Sequence, residues 1–178
     1  AGVCTAPYPK GSASRYPYYG NVAYGDFPVI NVTWNQAETF CSWDGKRLPT
    51  EAEWEKAARG SDDTRIYPWG DQAPDSTLLN FNWNAGDTTK VGSYPAGASP
   101  FGVMDMSGNV WEWVNDRYGE FYYAVSPPED PQGPATGSYR IFRGGCFGDA
   151  ESLRVSHRIV YAPSSLGVYY GFRCARSQ

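Results

Sequence analysis

Glycine and proline interrupt this chain so often that much of its backbone must be turn and loop: 20 Gly and 14 Pro are spread over 178 residues. Loops on that scale need fastening, by buried rings, by disulfides or by ions. Rings are plentiful, since aromatic residues make up 16% of the chain, with 14 Tyr and 7 Trp. With 41% hydrophobic residues the chain can bury a sizeable core, and its length suits one domain over residues 1–178. The formal net charge is −4, and no basic stripe of the kind a general nucleic-acid binder carries is present. No apolar run approaches the roughly 18 residues that a membrane helix needs, so no membrane insertion is expected.

Two helix starts can be read from the residues. Thr33-Trp34-Asn35-Gln36 forms a capping box, and Trp34, Ala37, Phe40 and Cys41 follow on one face, with Gly45 as the stop. A second box lies in Thr50-Glu51-Ala52-Glu53, where two acids in the first turn suit the helix N-terminus. Its inner stripe is Trp54, Ala57 and Ala58, and Gly60 closes it. Short strands are predicted at residues 28–32, 108–114, 139–145, 153–156 and 170–175. In the second of these, alternation puts Val110, Glu112 and Val114 on one face. The paired acids Asp62-Asp63 and Glu129-Asp130 read as solvated loop residues. The expected class is α+β, with two helices early, short antiparallel strands late and a high loop content.

The four cysteines, Cys4, Cys41, Cys146 and Cys174, are too far apart for a CxxC metal or redox motif, and they allow three pairings. His157 is the only histidine, so a Ser/His/Asp triad would have to use it. Its neighbour Ser156 would point to the opposite side of a strand. A single imidazole also argues against an imidazole-rich iron site within this chain.

Five stretches occur in a telling order. They are Val32-Thr33-Trp34, Gly45-Lys46-Arg47-Leu48-Pro49-Thr50-Glu51-Ala52-Glu53-Trp54-Glu55, Gly108-Asn109-Val110-Trp111-Glu112-Trp113, Arg143-Gly144-Gly145 and Gly171-Phe172-Arg173-Cys174. In this the chain resembles the formylglycine-generating-enzyme (sulfatase-modifying factor) family. The resemblance implies an irregular C-type-lectin-like fold, with the family's N-terminal stretch lying before residue 1. The family's enzymes oxidise a substrate cysteine in a sulfatase with a pair of reactive cysteines five residues apart. With Arg158 as the anchor, those two places hold Ala150 and Val155. Neither can form a thiolate or bind a soft metal, so the expectation is no oxidase activity and no copper. The resemblance also implies a Cys41–Cys174 disulfide, which leaves Cys4 and Cys146 to pair by elimination. It further implies Ca²⁺ at Asp105, Glu112 and the carbonyls of Gly108 and Val110. A second Ca²⁺ site would begin at Asn80 and the Phe81 carbonyl, with Asp87 the carboxylate at hand. Calcium takes six to eight hard oxygens, which such sets can begin to supply.

Residues 146–170 correspond to the substrate-facing surface of that family. The expected contact residues are Phe147, Gly148, Asp149, Ser152, His157, Ile159, Val160, Tyr161, Ala162, Val168, Tyr169 and Tyr170, which show neither clean alternation nor a helical stripe. The segment lacks Lys, Gln, Met, Trp, Thr and Asn, and apart from Glu151 every residue in it can be written by a codon ending in C. Random change of the first two bases of Asn codons would produce that restriction. The segment therefore resembles that of a diversity-generating-retroelement variable protein. The implied function is non-catalytic recognition of a protein or other macromolecular ligand, anchored by Tyr161, Tyr169 and Tyr170. Two alternatives remain: a formylglycine-generating-type oxidase or related enzyme, and a sensor module of a larger signalling protein. A disulfide would favour an extracellular location or a cell or virion surface.

Overall fold

Both helix starts are held by the reciprocal capping that the sequence predicts. In the computed structural model, which describes residues 4–61 and 64–176, α1 spans Trp34–Trp43 and α2 spans Glu51–Arg59. The Gln36 N–H donates to the Thr33 hydroxyl oxygen, and the Thr33 N–H donates to Gln36 Oε1. Thr50 and Glu53 repeat the arrangement. Asp62 and Asp63 lie outside the described residues. Helix α1 buries Trp34, Ala37 and Cys41, but Phe40 turns outward to meet the edge of Phe172, with ring centroids 5.6 Å apart. A third helix, α3 (Tyr122–Val125), is a single turn beyond the two helices expected.

Four strands form one sheet: β1 (Trp111–Arg117), β2 (Arg140–Arg143), β3 (Arg158–Tyr161) and β4 (Tyr170–Phe172), in the order β3-β2-β1-β4. The β1–β2 and β2–β3 pairs are antiparallel, with Trp113 opposite Phe142 and Phe142 opposite Ile159. The β1–β4 pair is parallel, so the sheet is mixed rather than wholly antiparallel. Gly171 sits opposite Glu112 in that pair, where a Cβ would come within 2.7 Å of the Val29 carbonyl oxygen. Only glycine lets segment 28–30 cross β4 so closely.

Two expected strands do not form. Residues 28–32 are broken by Asn31 at φ 58°, although Ile30 and Val32 are buried. Residues 153–156 are coil, in which Leu153 and Val155 are buried and the Val155 N–H donates to the Ile66 carbonyl. In both, an apolar stretch fills a gap without a ladder partner. Strand β3 forms in a segment whose residues show neither alternation nor a helical stripe, so its pattern predicts no strand.

The core divides around the sheet. Trp34, Cys41, Trp111, Trp113 and Phe142 pack together on one side, and Trp54, Met106, Val114, Ile141 and Val155 on the other. Cys41 and Cys174 form a disulfide with Cα atoms 5.5 Å apart, tying α1 to the segment after β4. Cys4 is exposed and Cys146 buried, and both are free thiols, so the pairing reached by elimination does not form. Arg143 is fully buried at the end of β2. Its guanidinium donates to the Val155 and Ser156 carbonyls and pairs with Glu55 and Glu51 of α2. This cluster fastens α2 to the sheet beneath the segment that carries the candidate site.

Candidate functional site

The site begins where β2 ends. Gly144 and Gly145 adopt φ 98° and 76°, and a Cβ on Gly145 would meet the Ser152 carbonyl oxygen at 2.8 Å. The chain can therefore leave β2 sharply and fold back on itself. The Phe147 N–H donates to the Asn109 carbonyl. Two donors from an earlier loop then fasten to the returning segment, Trp83 N–H to the Phe147 carbonyl and Asn82 N–H to the Asp149 carbonyl. Asn82 and Trp83 both take left-handed φ angles, 44° and 60°, which swing the indole over residues 147–149.

A groove of about 320 Å³ results. Seven of the expected contact residues line it: Gly148, Asp149, Ser152, Ile159, Tyr161, Tyr169 and Tyr170. One wall is Trp83 edge-on to Tyr169 at 6.1 Å, both backed by the buried Phe147 ring. The other is Tyr161 and Tyr170, 5.5 Å apart, with Tyr170 stacked on Phe142. Gly148 matters here, because a Cβ on it would press on the Tyr169 ring at 3.2 Å.

The remaining expected residues lie outside this lining. Phe147 is fully buried and supports the Trp83 wall from behind. Val160 pairs with Ile141, and strand alternation sends its side chain away from the face of Ile159 and Tyr161. Val168 packs toward Tyr18, Ile30 and Val110. His157 leans on the Trp111 ring at 5.8 Å, and Ala162 follows the end of β3. Three lining residues were not foreseen, namely Trp83, Trp111 and Cys146. An exposed Trp in an Asn-rich turn is the one signal that could have flagged Trp83.

Cys146 is a poor nucleophile. Burial and the neighbouring Asp149 carboxylate push its thiol up to about 12, so it stays protonated and donates to Asp149 Oδ2 at 3.5 Å. Ala150 is exposed, and Val155 lies in the core beside Trp54 and Met106. These two positions do not meet in the groove.

Of the first implied calcium cluster, Asp105, Val110 and Glu112 line one cavity of about 360 Å³, and Gly108 lies outside its lining. Their chemistry suits a hard cation, but Arg173 competes for it. Its Nε and Nη2 donate to both Glu112 oxygens, at 2.5 and 2.7 Å, while Trp54 Nε1 donates to Oε2. Asp105 accepts the Gly92 N–H, and burial raises its pKa. At the second cluster Asp87 is committed elsewhere. It accepts from the Ser12 and Ser14 hydroxyls and the Ser14 N–H, and so clamps the N-terminal segment. Asn80 Oδ1 is buried without a hydrogen-bond partner, yet no carboxylate beside it is uncommitted. At the first cluster two carboxylates thus share a cavity with Arg173 already paired to one of them, and at the second the nearby carboxylate is committed to the N-terminal segment.

Residues 8–178 match the family model described as the sulfatase-modifying factor enzyme 1-like domain. A serine/threonine-protein kinase of Chlamydia pneumoniae is 46% identical over 157 residues, covering 86% of this chain and 25% of the kinase. A formylglycine-generating enzyme of Streptomyces coelicolor is 42% identical over 166 residues, covering 83% of this chain and 52% of the enzyme. The chain thus spans a quarter to a half of the curated relatives it matches. Among solved structures, Treponema denticola variable protein 1 superposes with a TM-score of 0.74 at 27% identity, covering 94% of this chain and 76% of that one.

Proposed function

The chain belongs to the sulfatase-modifying factor enzyme 1-like family, and from that premise we propose that it is a non-catalytic member whose aromatic groove binds a macromolecular ligand. One observation carries this reading. Of the four cysteines, two are locked in the Cys41–Cys174 disulfide, Cys4 is exposed, and Cys146 lines the groove alone. Oxidation of a substrate cysteine by paired thiols needs two sulfurs that can ionise side by side. The one at the groove is held protonated by burial. The fold of Treponema denticola variable protein 1 supports a variable-protein role of the retroelement kind, as does the codon restriction of residues 146–170. The test is an assay for conversion of a cysteine-containing sulfatase peptide to formylglycine in the presence of copper. No turnover above background is expected, and turnover would overturn the reading.

The kinase match, which takes in about a quarter of that relative, favours a second reading of the same groove as the recognition module of a longer signalling chain. In either case the disulfide supports placement outside the reducing cytosol, at a cell or virion surface. Calcium at Asp105, Glu112 and the Gly108 and Val110 carbonyls belongs to the proposal as a weak structural ion, because Arg173 already offsets the Glu112 charge. When bound, it would tie the Asp105 loop to the start of β1 by neutralising the Asp105 carboxylate.

A further inference from the structure

The groove has an electrostatic bias that its aromatic walls conceal. Asp149 is the one lining residue that carries a charge at neutral pH, since no Lys, Arg or His lines the groove among the described residues and the Cys146 thiol is protonated. Of the basic residues near it in sequence, Arg154 is exposed and lies outside the lining, and the other two are engaged elsewhere. Arg143 is buried against Glu51 and Glu55, and Arg158 pairs with Glu51 while lying over the Tyr123 ring at 4.5 Å. The Asp149 carboxylate therefore faces the groove with a weak thiol donor and no cation of its own. The Tyr169 phenol is held above its ordinary range by burial first, then by Cys146, with Asp149 adding to the effect.

Around that carboxylate stand the faces and edges of Trp83, Tyr161, Tyr169 and Tyr170. An aromatic ring carries negative charge on its face, so rings gathered round a carboxylate attract a cation and gain little from a neutral group of the same shape. A ligand anion would meet the opposite: repulsion from Asp149 and no compensating donor stronger than a phenol. Resting on the ligand-binding reading above, we propose that the groove recognises a cationic side chain, the guanidinium or ammonium of an Arg or Lys projecting from a protein partner. The cation sits between the Trp83–Tyr169 and Tyr161–Tyr170 walls, with Asp149 as its counter-ion.

The test uses the whole chain with N-acetylarginine amide and its neutral isostere N-acetylcitrulline amide, followed by chemical-shift changes and by tryptophan fluorescence. The arginine derivative is expected to bind at least about tenfold more tightly than the citrulline one, with shifts at Trp83 and Tyr169. Asp149→Asn should erase that preference while leaving the fold unchanged, because Asn keeps an oxygen to accept from Cys146. Trp83→Leu, at an exposed wall position, should weaken arginine binding severalfold and provides a second variant. Equal binding of the two probes would overturn the cation proposal and leave the groove a binding site of another specificity. Binding of neither at tens of millimolar would overturn it as well. Formylglycine turnover is a separate readout that bears on the parent reading alone.

Discussion

The two ends of the 143–161 segment are built by opposite rules. At Arg143 every charge has a partner in the chain: Glu51, Glu55 and the carbonyls of Val155 and Ser156 surround a guanidinium with no exposure to solvent. At the groove a few residues away, Asp149 stands half-buried and Tyr161 exposed on a backbone that other residues hold in place. The contrast shows how one segment can be both fixed and changeable. The fixing interactions run from backbone amides, two glycines and a buried ion cluster. Of the groove side chains, Ile159, Tyr169 and Tyr170 also pack on the core, whereas Asp149, Ser152 and Tyr161 are not part of it.

The largest expected effect tests the fixed end. Arg143→Met strips Glu55 and the Val155 and Ser156 carbonyls of their buried cation and leaves Glu51 to Arg158 alone, and removing one partner of a buried pair costs about 3–5 kcal/mol. Urea denaturation should register that loss, and a near-neutral result would break the contrast. Next comes the clasp. Reducing Cys41–Cys174, or replacing both with Ala, should cost about 2–4 kcal/mol by freeing a loop of more than a hundred residues in the unfolded chain. Melting under oxidising and reducing conditions measures it.

A third prediction concerns pH. Asp116 is buried, accepts the Glu51 N–H at the start of α2, and has its carboxyl pushed up to about 6 by burial, with the Glu51 charge adding to the effect. The folded state therefore holds this proton where the unfolded chain, near 3.8, has released it. Its contribution is constant below about pH 4, falls as pH rises toward 6, and levels off above that, for a change of up to about 3 kcal/mol. Asp116→Asn should lack this fall, so it should gain on the wild type between pH 4 and 6. Parallel stability profiles would contradict the assignment. A fourth prediction reads the ion: calcium against chelator should raise the melting temperature slightly, and no shift removes calcium from the Asp105 cluster. The smallest stability effect belongs to the groove. Tyr161→Ala, at a residue 41% exposed, should change stability by about 0.5 kcal/mol or less. If the tyrosine is an anchor, the same substitution costs about 2 kcal/mol in ligand binding.

This difference also governs what the sequence could say. Both helices were legible to their caps, because Thr33–Gln36 and Thr50–Glu53 are local reciprocal bonds. The C-type-lectin-like fold and the Cys41–Cys174 bridge followed from motif resemblance. The parallel β1–β4 pairing was not legible, since no crossover helix announces it. Neither was the division of residues 147–170 into lining and support. Phe147 and Val160 differ from Tyr161 only in which way the backbone points them, and in an unpatterned segment that is set by distant bonds. Trp83 reached the groove from more than sixty residues upstream through a left-handed turn that composition does not show.

The most direct test of a replaceable face on a fixed frame is to randomise Asp149, Ser152 and Tyr161 together and measure the melting temperature of a sample of the library. If the frame carries the fold, most variants should stay folded with the disulfide intact and melt within several degrees of the parent. If most variants instead unfold, the groove residues are part of the core and the account is wrong.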